Sequence, residues 1–418
     1  MMTQAFYTGI SGVKTHSYGI DAVSDNLANI NTVGYRGYDV EFKCLFENTK
    51  STTSSEITDD TIGIGSQLQT TSMTQDTGSL QTTDKSTDLA IYGDGWFGVQ
   101  KNNETFYTRD GAFTFDKDND LVAVDGSYVL GTMGGNISGE ILTKSIDTIP
   151  LGDVTTQQKL RFPKTLTYPQ EATSKAVFRA NLGVDAKPRT IGATVIDAKG
   201  VRNSLRLEFT KDPVQSPPGS QWNVKATTQT LDGKTIYDTK TGRVLFDSAG
   251  GLVSSTLSPV NNNGTPVTVD LGSAFSGVVS IDNAGIYGSS TADGTISGDL
   301  MGYDINKNGE VTATFTNGKQ SSVGKIAVYH FQNNQGLERI SGTRFQESFN
   351  SGKAIFFKDA NGQNIVGSDI SNFRLEGSNY KIEVGLTELI ILQRAFDANS
   401  KSITTADEMM QKALQMDA

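Results

Sequence analysis

Along the first thirty residues Phe6, Val13, Ile20 and Leu27 recur every seven positions, and Val23 and Ile30 sit three places after the last two. Near the other end Ile382, Leu389, Phe396, Ile403 and Met410 keep the same spacing, joined by Leu392, Ala406 and Ala413 at the offset of three. A seven-residue repeat lines apolar side chains along one face of a helix and is the seam of helices packed lengthwise. The spacing predicts a helix over 1–30 and another over 383–418, paired within a chain or between chains. Gly9, Gly12 and Gly19 each cost the first helix about 1 kcal/mol relative to alanine. Its order is therefore expected to depend on the seam meeting other helices.

Between the ends the period drops to two. Val311 to Phe315 and Lys325 to Tyr329 alternate as half-buried strands should, and Ser204 to Phe209 and Trp222 to Ala226 are strand-like. Asp94-Gly95, Asp110-Gly111, Asp125-Gly126, Asp232-Gly233, Asn308-Gly309, Asn317-Gly318 and Asn361-Gly362 are hairpin-turn dipeptides. Residues 47–75 are rich in Ser and Thr and nearly bare of large apolar side chains, so 31–75 reads as an extended linker holding the first helix away from the body. All nine prolines lie from Pro150 to Pro266. Proline is excluded from helix interiors and central strands, so the middle third is a separate, inserted module. The expected fold is mainly β with terminal α-helices. A discontinuous β domain (76–174 and 291–382) is interrupted by an inserted outer β domain (175–290).

Composition narrows the function. A chain of 418 residues suggests several folded units. Its net charge of −10 would repel a phosphate backbone, which argues against nucleic-acid binding. One cysteine, Cys44, allows no internal disulfide and no thiolate zinc cage, and it is expected in a packed or half-packed position. The longest aliphatic run, Leu389 to Leu392, is far short of the roughly twenty residues of a membrane span. The first residues carry neither a basic n-region nor an apolar h-region, so no cleaved secretory signal is read from them.

Motifs that carry chemistry are weak. Asp304, Asn306, Asn308 and Gly309 open like a calcium loop, but Phe315 stands where the closing Glu belongs. Asp116, Asp118 and Asp120 look similar, with Leu121 in place of the Gly and Ser127 in place of the Glu. His16 and His330 read as structural, and no phosphate loop, HExxH or GxSxG is present. No catalytic residue, cofactor or metal is assigned, and the chain is not expected to be an enzyme.

Three motifs in order then resemble one family. Ser11-Gly12-Val13 followed by Ala22 to Arg36, containing Asn26, Asn29, Asn31 and Gly34, resembles the N-terminal signature of the bacterial flagellar rod and hook proteins. Asp88 to Phe97, with Gly93 and Gly95, and Tyr107 to Phe113, with Arg109 and Gly111, are similar to their shared β-domain motif. Glu388 to Phe396, with Gln393 and Arg394, then Asn399 to Lys401 and Thr405 to Met410, are similar to their C-terminal helix motif. Tyr35-Arg36-Gly37 departs from the family's common Phe-Lys, and Gly385 falls early in the last helix.

The position of the proline-bearing insertion, and the likeness of Gly324 to Ala327 and Asn333 to Leu337 to the hook type's return strand and loop, favour a hook subunit over a distal rod component. The resemblance implies a homopolymer forming a curved hollow tube that transmits torque from rod to filament. It implies export through the flagellar type III apparatus without signal cleavage and residence in the extracellular hook. The implied partners are the distal rod, hook cap, hook–filament junction and export apparatus, with no nucleic acid and no membrane insertion. On this reading Phe6, Val13, Ile20, Val23, Leu27, Ile30, Leu389, Leu392, Phe396, Ile403, Ala406 and Met410 are assembly residues. The alternative from another class is a secreted β-rich adhesin with Trp222 and Tyr237 exposed at a concave site.

Overall fold

The computed structural model describes residues 2–48, 61–215, 217–282, 285 and 287–416. What the sequence suggests for residues 1, 49–60, 216, 283, 284, 286, 417 and 418 lies outside the described residues. Helix α1 spans Met2–Ala28 and helix α2 spans Ile382–Met416. The two pack antiparallel, with Gly9 against Ile403, Gly12 against Asn399, Gly19 against Leu392, and Leu27 against Gly385. The glycines of α1 are what permit this approach. A Cβ at Gly9 would stand 2.7 Å from Ile403 Cγ1, and one at Gly12 2.5 Å from Asn399 Oδ1. The propensity they cost is exchanged for helix axes brought close together.

The described part of the expected linker, 31–48 and 61–75, is not an extended spacer. Strands β1 (Tyr38–Asn48) and β2 (Thr61–Met73) form an antiparallel hairpin from Tyr38↔Met73 to Asn48↔Thr61. It lies on α1 instead of distancing it: the Ser11 hydroxyl donates to Ser66 O at 2.9 Å and accepts from Ser66 N–H at 2.8 Å, and Thr15 Oγ1 also donates to Ser66 O. Hydroxyls and backbone groups supply this attachment, and Phe42 of β1 adds an edge-on contact with the His16 ring, centroid to centroid 6.0 Å. Cys44, on β1, is exposed, contrary to the expected packed or half-packed position, as are its neighbours Glu41, Phe42 and Lys43.

The main body is a large sheet whose order includes Gly298–Ile305, Glu310–Phe315, Gln320–Ile326, Tyr128–Met133, Trp96–Lys101 and Glu104–Thr108 as successive neighbours. Its core gathers Leu89, Phe97, Phe113, Leu160, Phe162, Val311, Phe315, Val323 and Ile326. Glu310–Phe315 is buried on both faces except at Thr314, more than the half-burial its alternation suggests. Its polar face is roofed and satisfied: Asn306 Nδ2 donates to Thr312 Oγ1 at 2.9 Å and Lys325 Nζ to Glu310 Oε1 at 3.0 Å.

The chain leaves this body through Thr167–Tyr168, which pairs with the start of Gly298–Ile305. Between them a five-stranded antiparallel sheet runs from Arg189–Ile196 to Leu252–Ser255, and a second five-stranded sheet includes Lys175–Asn181, Thr265–Asp270 and Gly288–Ala292. Phe178, Leu205, Leu207, Phe209, Trp222 and Val244 pack between the sheets. Trp222 is therefore core and cannot serve as an exposed aromatic at a concave site, as the adhesin alternative required.

Five of the seven turn dipeptides join strands that pair with each other. Asp94-Gly95 and Asp110-Gly111 do not: Leu89–Tyr92 pairs with Asp369–Asn372, and a Cβ at Gly111 would fall 1.9 Å from Leu89 O. These glycines serve close approach, where side-chain-free backbone is required.

Candidate functional site

Of the twelve expected assembly residues, Val23 and Ala406 are buried, and the remaining ten are half-buried. Leu27, Leu392 and Ile403 among them meet a glycine of the facing helix of the same chain, and Ile30 lies past the end of α1. Ile382, the first position of the C-terminal repeat, instead faces solvent at 48% exposure. Leu386 and Ile390 follow it at helical spacing, with Ile391 beside them, all exposed. On α1, Tyr7, Ile10 and Tyr18 are exposed. A helix pair thus buries one apolar stripe internally and shows another outward, where a lone soluble subunit would carry polar residues. Both stripes have helical spacing, so periodicity alone did not separate the inward set from the outward one.

Below the helices the chain passes through a polar knot that collects most of the family-motif residues. Asn26, at the last turn of α1, donates Nδ2–H to Tyr38 O at 2.8 Å and accepts at Oδ1 from Tyr38 N–H at 3.0 Å, so its amide pairs with β1 as a strand would. Gly34 has φ +68°, and a Cβ there would stand 2.3 Å from Asp110 N. Gly93 and Gly95 also take positive φ, and Gly93 O accepts from Arg109 Nη2 at 2.7 Å. Asn29 donates back to Asp25 O at 2.9 Å and closes the helix end. Asn31, Gln393 and Arg394 are exposed and lie outside the knot.

At its centre is a charge cluster of which only Arg109 is among the expected site residues. The Glu376 carboxylate is 1% exposed. Its Oε1 accepts from Arg36 Nη2 and from Gly78 N–H, both at 2.9 Å, and its Oε2 from Arg109 Nη1 at 3.2 Å. The backbone carbonyl of Glu376 accepts from Gly34 N–H at 2.7 Å. Both guanidinium groups lie over the Trp96 ring, at 6.0 and 5.5 Å from its centroid. Burial, and next the charge of Arg109, pushes the Arg36 guanidinium down to about 10; burial also lowers Arg109. Asp94 turns aside to Asn334 and His330, and its hydrogen bond to His330 lowers its carboxyl. Sequence reading noted Arg36 only as a departure and passed over Glu376, because the partners stand 340 positions apart.

Nothing in this geometry suggests turnover. His330 is fully buried, with Nε2 2.8 Å from Val366 O, and packs on Phe357. Among the described residues no group of three or more His, Cys, Asp or Glu could hold a metal ion. Asn308-Gly309, at the tempting calcium loop, makes the turn between two paired strands. No described helix is long and apolar enough to cross a membrane.

Comparison with known proteins gives a consistent picture. Residues 6–36 match the family "Flagella basal body rod protein", residues 90–177 the "Flagellar hook protein FlgE/F/G D1 domain", and residues 372–416 the "Flagellar basal body rod FlgEFG protein C-terminal". The flagellar hook protein FlgE of Borreliella burgdorferi is 28% identical, covering 99% of this chain and 100% of that protein. That of Treponema pallidum is 26% identical over the same shares, and that of Brucella suis 29% identical over 96% of each. In fold, the chain resembles the crystal structure of Helicobacter pylori flagellar hook protein FlgE2, with a TM-score of 0.52 and 17% identity, over 71% of this chain and all of that one.

Proposed function

We propose that the chain belongs to the flagellar rod and hook protein family and is the structural subunit of the hook, polymerising into a curved hollow tube that joins rod to filament. The observation that carries this is the near-complete coverage of hook proteins, including the stretch between residues 177 and 372 that the family models leave out. The role is mechanical, not catalytic.

On this reading 1–30 and 383–418 form the inner helical layer, 76–174 with 291–382 the shared β domain, and 175–290 an outer inserted domain. The twelve seam residues from Phe6 to Met410 prepare the subunit by pairing its own helices. Tyr7, Ile10, Tyr18, Ile382, Leu386, Ile390 and Ile391 then meet neighbouring copies, where burying a whole aliphatic side chain contributes about 1.5–3 kcal/mol. Axial continuity comes from that layer. The outer β bodies touch through smaller polar contacts that slide as the tube turns, so torque passes along a bent axis. The distal rod, hook cap, hook–filament junction and export apparatus are the partners, the last accepting the chain without signal cleavage.

Electron microscopy of the purified full chain, concentrated at neutral pH, tests the reading. Curved hollow tubes are expected. Straight rods would transfer the assignment to a distal rod component, and dispersed particles at every concentration would remove self-assembly from it.

A further inference from the structure

We propose that Glu376 is the positioning residue that docks both arms of the helical layer on the β body, one carboxylate serving the N-terminal and the C-terminal arm together. Arg36 follows α1 in the chain, Glu376 precedes α2, and Arg109 belongs to the body. The two guanidinium groups are each 3% exposed and share one aromatic face, so without an anion between them they repel in a medium that screens poorly. Glu376 gives one oxygen to each.

The surrounding backbone repeats the arrangement. Gly34 N–H and Gly78 N–H both end on Glu376, while Gly37 N–H donates to Asn379 Oδ1 at 2.8 Å. Asn379 Nδ2 returns to Thr74 O and Asp76 O. Arg36 Nη1 also reaches Asp76 O, and Arg109 reaches Gly93 O. Segments 34–37, 74–78 and 376–379 thus meet at one point, and among the described residues Glu376 is the carboxylate that bonds both guanidinium groups. Asp94 and Asp76 also act on Arg36 through space, but Asp94 is engaged by His330 and Asn334 and Asp76 meets Arg36 through its backbone carbonyl. Removing one member of a buried pair leaves an uncompensated charge, so the arms should lose their seat while each apolar core stays closed.

This deepens the hook reading, yet it is tested on the dispersed subunit and can fail independently: absence of tubes from the unaltered chain counts against the hook, unchanged exchange in the variants against Glu376. Hydrogen exchange by mass spectrometry on the full-length Glu376→Gln chain should show amides in 30–38 and 372–380 exchanging roughly tenfold faster or more, with 200–230 unchanged. Arg36→Met keeps the Glu376–Arg109 pair and should release 30–38 while 372–380 stays protected. If Glu376→Gln fails to fold, that one-sided pattern decides alone. Unchanged protection in either variant, or equal loss in both arms of Arg36→Met, overturns the proposal.

Discussion

The inserted β body and the helical layer solve the problem of apolar surface in opposite ways. In the insertion, Leu205, Leu207, Phe209, Trp222 and Val244 are completely enclosed between two sheets, and polar residues such as Arg206 face out. In the helical layer only Val23 and Ala406 of the expected seam are fully buried, and a second row through Leu386 and Ile390 is left in solvent. The insertion is complete as a single chain. The helices, on the proposed reading, are completed by neighbouring copies. The lesson is that burial within one subunit marks where stability resides, and unfinished burial marks where assembly energy is held back.

That contrast can be broken at the core first. Phe209→Ala should destabilise the insertion by about 3–5 kcal/mol, read by denaturant unfolding of a fluorescence signal from Trp222, while tube formation under native conditions persists. Loss of tubes at equal folded fraction would mean the insertion carries axial assembly after all.

A smaller effect comes from alkali. Tyr35 is buried in the knot with its hydroxyl 3.1 Å from Asp25 Oδ2 and 3.0 Å from Asn26 Oδ1. Burial first, and Asp25 second, raises its phenol from 10.0 to about 12. A proton held more tightly in the folded state stabilises fully below pH 10 and is lost as pH climbs through about 12. Phenolate absorbance and helical circular dichroism should change together across that interval, with faster exchange at 30–38. Helical signal that falls below pH 10 would contradict the knot's role.

The smallest expected effect on the subunit sharpens the contrast most. Ile390→Asp should change folding stability by no more than about 1 kcal/mol, since the site is exposed and only helix propensity is at stake. Sedimentation should nevertheless show that tubes no longer form. Normal polymerisation of this variant would remove the outward row from the assembly surface.

How much of this was legible in the sequence depended on distance along the chain. The terminal helices follow from a local repeat, and Asp232-Gly233 and Asn317-Gly318 announce hairpins because a turn and its two strands are neighbours. The β1–β2 hairpin was missed because its anchors are Ser11, Thr15 and Ser66, residue types that also compose linkers. The Arg36–Glu376–Arg109 cluster was illegible for a different reason: ion pairs carry no periodicity, and only the completed fold brings these three together. Glycine was misread in the same direction each time. In α1 and at Gly111 it is a place where another part of the chain comes too near for a side chain.

The way the insertion is attached has a consequence for how such a subunit can be modified. Glu171 and Thr295 exchange backbone hydrogen bonds at 2.8 and 2.9 Å, so the outgoing and returning strands run side by side at its base. A reporter, an affinity handle or a short turn placed beyond that pair would have to span only the gap between two backbones already bonded to each other. The distal decoration is in effect a socketed part, its two leads held at a fixed separation.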